Sequence, residues 1–170
     1  MRTIDWRDGR VVIVDQTLLP AELRTLELIS VDNLVDAIVR LAVRGAPALG
    51  AAGALGVVLA VDQADREGWD DERLAGELAR VRAARPTAVN LSWGIDRAAS
   101  RLAQGRQVVL QEALAVLDED VAVNRSIGER GADLLNDLLA GTSAPTQAIR
   151  VHTHCNTGSL ATVEFGTALG

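Results

Sequence analysis

The sequence predicts an α+β fold, in which a short β-hairpin opens a mainly helical domain and a single strand–loop–helix unit closes the chain. Asp8-Gly9 separates Trp6-Arg7 from Arg10 and the apolar run Val11–Val14, the pattern of a two-residue hairpin turn. From Ser30 to about Leu139, apolar residues recur three and four positions apart, which marks successive amphipathic helices. After Gly141-Thr142-Ser143-Ala144-Pro145-Thr146, a turn-rich linker, the pattern changes to the strand-like run Ala148–His154. The expected division is a mainly helical N-terminal domain over 1–147 and the beginning of an α/β domain over 148–170.

Each element has a local cause. Pro20 ends the extended region that follows the hairpin. Ser30 is an N-cap for a helix bearing Val31, Leu34, Val35, Ile38, Leu41 and Ala42, which is expected to stop near Arg44-Gly45. Pro47 suits the first turn of the next helix, running to about Asp65, because the N–H it lacks would have no helical partner there. That helix carries Gly50, Ala51, Ala52, Gly53, Ala54 and Gly56. Glycine weakens an isolated helix, so this composition implies a central, buried helix closely approached by a neighbour. Asp70, Asp71 and Glu72 favour the start of a third helix through the macrodipole. It presents Leu74, Leu78 and Val81 and ends before Arg85, since a residue preceding proline is pushed out of the helical region. Asn90 is the expected cap of a fourth helix with Leu91, Ile95, Ala98 and Leu102, stopped by Gly105. A long helical pattern then runs from about Val108 to Leu139, with Gly128 and Gly131 as candidate interruptions. The closing unit reads as a strand over Ala148–His154, a loop over Cys155–Ser159 and a helix over Leu160–Leu169. One such unit cannot form a sheet by itself, so a second domain is expected to begin where the chain stops, and the free polypeptide is expected to be poorly stable because its last unit has no sheet to join.

Composition narrows the function. All 17 basic residues are arginine, so this stretch offers no lysine amine for Schiff-base chemistry. A formal charge of −6 argues against a nucleic-acid partner, which would need a basic face. An anionic small molecule stays open, because a few arginines can converge locally. The single Cys155 allows no intrachain disulfide and fits a reducing compartment. No uninterrupted apolar run reaches membrane-spanning length, and Met1 is not followed by a basic-then-apolar signal segment. A soluble cytoplasmic protein without a membrane partner is expected.

Three local constellations carry chemistry. Gly45 and Ala46 offer backbone N–H groups near a helix N-terminus, and Arg44 adds a guanidinium fork, a combination suited to an anion. The same residues also suit an ordinary helix–helix turn with a solvated arginine. In Arg85-Pro86-Thr87-Ala88-Val89-Asn90-Leu91, Pro86 stiffens the loop and fixes the direction of Arg85, as a phosphate clamp would require. A charged residue closing one helix before the capped start of the next is the plainer explanation of the same residues. In His152-Thr153-His154-Cys155-Asn156-Thr157-Gly158-Ser159, strand geometry sets both histidines on one face with Cys155 pointing away, which argues against a shared metal. Cys155 would instead sit at a strand tip before a helix N-terminus, at the edge where α/β sheets bind ligands, with nearby N–H dipoles favouring its thiolate. A small buried hydrophobe is the alternative reading of the same cysteine.

Taken in register, these segments resemble one family. Asp15-Gln16-Thr17-Leu18-Leu19-Pro20, Arg44-Gly45-Ala46-Pro47-Ala48-Leu49-Gly50, Arg85-Pro86-Thr87-Ala88-Val89-Asn90-Leu91, Glu119-Asp120 with Asn124, Gly128 and Gly131, and Thr153-His154-Cys155-Asn156-Thr157-Gly158 occur in the order seen in methylthioribose-1-phosphate isomerases. The resemblance runs along essentially the whole chain, with Arg130 a departure from the family's histidine in Gly-Glu-His-Gly. It implies that residues 148–170 begin a Rossmann-like catalytic domain. It also implies aldose–ketose isomerisation of methylthioribose 1-phosphate to methylthioribulose 1-phosphate in methionine salvage. Arg44, Gly45, Ala46 and Arg85 would bind the sugar phosphate, and Cys155 would assist the hydrogen shift or stabilise its transition state. The proton-donating Asp would lie in the second domain, so the chain alone is expected to be inactive. No metal or nucleotide cofactor is implied, and the complete enzyme would be a homodimer. Ribose-1,5-bisphosphate and 5-deoxyribose-1-phosphate isomerases are related readings. The regulatory subunits of the translation-initiation exchange factor share the fold as non-catalytic scaffolds, and Cys155 together with Arg44 and Arg85 favours the enzyme.

Overall fold

The computed structural model describes residues 1–140 and 150–169. Strands β1 (Ile4–Arg7), β2 (Arg10–Val14) and β3 (Thr25–Leu28) form an antiparallel sheet in that order. Asp8 (φ 49°) and Gly9 (φ 78°) both take the left-handed conformation that a primed two-residue turn demands. The register sets Ile4 opposite Ile13 and Trp6 opposite Val11, so Ile4, Val11 and Ile13 share one buried face. The third strand is an addition to the sequence reading. Only Leu28 of its residues is buried, so its alternation is too short to register as a pattern, yet it pairs Val11 with Leu28 and Ile13 with Leu26.

Helix α1 (Val31–Val39) starts where expected, with Ser30 Oγ accepting from Asn33 N at 3.2 Å. It ends well before Arg44. Leu41 turns left-handed (φ 66°), and the Ala42 N–H reaches back to the Ala37 carbonyl at 2.8 Å. Residues 40–45 thus form a turn rather than a last helical turn. Helix α2 (Ala46–Glu67) is the centre of the molecule, buried almost continuously from Ala48 to Ala60. At 22 residues, with a mean hydropathy of 1.4 in its most apolar window, it is long and apolar enough to cross a membrane, but 72% of that window is buried inside the protein. It is a core helix.

The small residues of α2 do what their composition implies. A Cβ on Gly53 would overlap the Leu91 carbonyl, and one on Gly94 would overlap the Gly50 carbonyl. Helix α4 (Val89–Ala99) therefore lies against α2 at backbone contact. Helix α3 (Asp71–Ala83) is capped by Asp70, whose Oδ1 accepts from Arg73 N at 2.8 Å. Asn90 does not cap α4. The Ala88 N–H closes a turn onto the Arg85 carbonyl at 2.9 Å, so the helix begins at Val89 and Asn90 is already inside it.

Helix α5 (Arg106–Ala140) runs 35 residues without a break at Gly128 or Gly131. Isolated glycines cost a helix only about 1 kcal/mol each, and the good helix formers around them outweigh that. Its first half packs into the core through Val109, Leu110, Ala113, Val116 and Leu117. Arg97 of α4 reaches both Glu112 (2.7 Å) and Glu119 (2.7 Å) of α5, while Arg106 forks onto Asp62 of α2 (2.7 and 2.8 Å).

The linker Gly141–Thr146 lies outside the described residues, as do Ala148 and Ile149 of the expected strand. Residues 150–154 form no strand, and the sheet among the described residues consists of β1–β3. The expected helix over Leu160–Leu169 is reduced to one 3-10 turn, Ser159–Ala161. Phe165 (φ 77°) and Gly166 (φ 120°) are left-handed and cannot continue a right-handed helix. Instead the segment folds back on the N-terminal region, where Thr3 N donates to the Val163 carbonyl at 2.8 Å.

Candidate active site

Three turns meet at the N-terminal end of α2. Arg44, Gly45 and Ala46 belong to the α1–α2 turn, Arg85, Thr87 and Ala88 to the α3–α4 turn, and Cys155 and Asn156 to the closing segment. With Leu41 and Leu49 they line one cavity of about 270 Å³. The sequence-derived candidates Arg44, Gly45, Ala46, Arg85 and Cys155 are all on its wall, and among the described residues no acidic side chain is. His152 and His154 are not part of the lining.

Gly45 is required by two features at once. It sits at φ 98°, and a Cβ there would overlap Cα, C and O of Ala161. The closing segment therefore rests directly on the entry to α2. Gly45 occupies the N-cap position without a side-chain cap, and Pro47 has no N–H. The N-terminus of the longest buried helix thus points its uncapped positive end toward the cavity.

The arginines differ sharply from their neighbours. Arg40, one turn earlier, is committed to Asp15 (3.1 Å) and Asp36 (2.9 Å). Burial pushes the Asp15 carboxyl up, but hydrogen bonds from the Thr17 hydroxyl (2.7 Å) and N–H (3.0 Å), with the Arg40 guanidinium, outweigh it and hold Asp15 below the usual carboxylate range. Arg44 and Arg85 make no ion pair among the described residues. Arg44 Nε donates to Gln16 Oε1 at 3.4 Å. Two uncompensated guanidinium groups on one cavity wall create a local positive field inside an acidic protein.

Cys155 is exposed and left-handed (φ 70°), a conformation that turns the chain at the cavity rim. The helix whose N-terminus was expected directly behind it is reduced to the 3-10 turn Ser159–Ala161. What holds the loop is a set of polar contacts that sequence reasoning passed over. Asp120 Oδ2 accepts from Val163 N at 2.7 Å, and Asn124 Nδ2 donates to Asp120 Oδ1 at 3.0 Å. Burial pushes the Asp120 carboxyl up, partly offset by those two hydrogen bonds. Gln16 Nε2 donates to the Leu160 carbonyl at 2.8 Å. The available signal was the presence of polar residues (Gln16, Asp120 and Asn124) beside apolar runs, a sign of buried partners rather than of solvated faces.

Comparison with known proteins places this arrangement. Residues 42–167 match the initiation factor 2 subunit family. A probable bifunctional methylthioribose-1-phosphate isomerase/methylthioribulose-1-phosphate dehydratase from Nocardia farcinica is 49% identical over 100% of this chain and 31% of its own length. A 5-deoxyribose 1-phosphate isomerase from Moorella thermoacetica is 46% identical over 98% of this chain and 47% of its own length. Among solved structures, the translation initiation factor eIF-2B subunit delta from A. fulgidus superposes with a TM-score of 0.78 at 39% identity, covering 99% of this chain and 49% of that one. The 5-methylthioribose 1-phosphate isomerase from Pyrococcus horikoshii OT3 superposes with a TM-score of 0.77 at 30% identity, covering 97% and 46%. The chain spans about half the length, or less, of the relatives it matches. The match covers both arginine turns and the Cys155 loop, and on that ground the chain belongs to the initiation factor 2 subunit family.

Proposed function

We propose that this chain supplies the phosphate-binding part of the active site of a sugar-phosphate aldose–ketose isomerase that converts methylthioribose 1-phosphate to methylthioribulose 1-phosphate in methionine salvage. The observation that carries this reading is the single cavity in which Arg44, Arg85, Gly45, Ala46 and Cys155 meet with no carboxylate. A phosphate dianion there would face two guanidinium forks and the positive end of α2, each of which favours it. A carboxylate on the wall would have undone both.

In the proposed reaction an acid protonates the ring oxygen and the bond from C1 to that oxygen breaks. A hydrogen moves from C2 to C1 with its bonding pair, and the C2 hydroxyl loses its proton to become the ketone, while the phosphate ester stays on C1. Arg44 and Arg85 hold the ester still, which fixes C1 and C2 against the wall that carries Cys155. The thiol assists the hydrogen shift or stabilises its transition state. Because no acidic side chain lines the cavity, the acid is assigned to residues outside it, in a Rossmann-like domain that residues 148–170 would begin after a helical domain over 1–147. The catalytic unit is proposed to be cytoplasmic and homodimeric, to need no metal or nucleotide, and to bind neither nucleic acid nor membrane.

The name carried by the Moorella relative favours one second reading, 5-deoxyribose 1-phosphate as substrate. The experiment is direct. The full-length protein containing this chain is incubated separately with methylthioribose 1-phosphate and 5-deoxyribose 1-phosphate, and ketose formation is followed by NMR. A kcat/KM at least about tenfold higher for the methylthio sugar supports the primary reading, since an apolar sulfur substituent in a fitted pocket is worth roughly that much. The reverse ratio moves the assignment to the deoxy sugar, and no turnover of either removes the isomerase reading in favour of a scaffold.

A further inference from the structure

We infer that Gln16 is a positioning residue that aims Arg44 into the cavity and ties that aim to the loop carrying Cys155, an inference that rests on the anion-binding reading of the cavity. Gln16 follows β2 and is 6% exposed, and it is not part of the cavity lining. Its backbone N–H and both ends of its side-chain amide are used. Its N–H donates to the Ala42 carbonyl at 3.0 Å, its Oε1 accepts from Arg44 Nε at 3.4 Å, and its Nε2 donates to the Leu160 carbonyl at 2.8 Å.

The amide can stand only one way round. Flipped, it would set its NH₂ against the Arg44 N–H and its oxygen against the Leu160 carbonyl, pairing donor with donor and acceptor with acceptor. Holding Nε leaves both terminal guanidinium nitrogens of Arg44 without a partner among the described residues, and they form an edge a phosphate can take with two parallel hydrogen bonds. It also restricts a long side chain before the ligand arrives, so less freedom is lost on binding. No other side chain meets all these demands. Glutamate would keep the Arg44 contact but cancel its charge and lose the donor to Leu160, while asparagine is one methylene too short to span both. Adjacent residues thereby divide two arginines between them: Asp15 neutralises Arg40, and Gln16 orients Arg44 with its charge intact.

The test measures inorganic phosphate binding by titration calorimetry at low ionic strength on the full chain and on Gln16→Met, Arg44→Ala and the double variant. Gln16→Met keeps the volume and removes both side-chain hydrogen bonds. The expected result is about tenfold weaker phosphate binding in Gln16→Met, the order expected for a hydrogen bond to a charged group, and less than a further twofold when the change is made on Arg44→Ala. A side chain that merely packs would lower the melting temperature and leave phosphate affinity unchanged, or would weaken it equally in both backgrounds, and either outcome overturns the inference. If Arg44→Ala weakens binding while Gln16→Met does not, the cavity reading stands and the inference falls. If the parent chain takes up no saturating phosphate, both fall. Should Gln16→Met lose its cooperative melt, Gln16→Asn replaces it with the same expected pattern.

Discussion

Gly45→Ala would place a methyl group where Cα, C and O of Ala161 already stand. Two costs add. An alanine held at φ 98° lies outside the regions open to L-residues, a strain of about 1–3 kcal/mol. The overlap is with backbone on a turn pinned by Gln16 and Asp120, so relief requires moving that turn, typically another 1–3 kcal/mol. Together they come to about 4 kcal/mol, or a fall in melting temperature of roughly 10 °C for a chain of this size. The loss has a ceiling, because the closing segment can lift off, giving up the Val163 and Leu160 hydrogen bonds but leaving the helical body folded. The assay is urea denaturation followed at the tryptophans, together with amide NMR shifts of residues 155–163. The prediction is a lowered midpoint, shifts concentrated in that segment and weakened phosphate binding, since the Leu160 carbonyl leaves Gln16, which holds Arg44. A Gly45→Ala protein within about 0.5 kcal/mol of the parent, with the Ala161 amide unmoved, would refute the packing argument.

Arg44→Ala and Arg85→Ala should each weaken inorganic phosphate binding by about 10- to 100-fold without lowering the melting temperature, since neither is in an ion pair among the described residues; calorimetry and thermal melts check both. Cys155→Ser in the full-length protein should lower kcat at least about 100-fold while phosphate affinity holds, and an unchanged kcat would make the cysteine structural. Asp15 has a folded pKa below its unfolded value, so its contribution to stability is complete above the unfolded value and is lost as pH falls through the folded one. Urea midpoints measured from about pH 6 downward should therefore fall less steeply in Asp15→Asn, which starts lower, than in the parent.

Much of the fold was legible because its causes are local. The Asp8-Gly9 turn, the Ser30 and Asp70 caps and the small-residue face of α2 each follow from a few adjacent residues, and each is in place. What was not legible depends on distant partners. Strand β3 exists because Leu26 and Leu28 find Ile13 and Val11 on β2, and four residues of sequence hold no trace of that. The early stop of α1 turns on the Ala42 N–H returning to Ala37, although Leu41 and Ala42 continue the helical spacing. The strand expected at the end is absent over the described residues 150–154, and the expected helix gives way where Phe165 and Gly166 turn left-handed, which neighbouring residues alone do not announce.

The site divides along the same line. Arg44, Gly45, Ala46, Arg85 and Cys155 were found from residue type and motif, but their meeting on one wall joins turns more than a hundred residues apart. Gln16, Asp120 and Asn124 stood in recognised motifs without a role, because a polar side chain shows whether it binds solvent, ligand or backbone only when its partners are known.

A crystal structure of the chain in complex with ribose 5-phosphate or methylthioribose 1-phosphate tests the central claim most directly. The account predicts phosphate oxygens within about 3 Å of both the Arg44 and Arg85 guanidinium groups and of the Ala46 N–H, with the sugar toward Cys155. A phosphate bound elsewhere, or bound here with either arginine turned away, would contradict it.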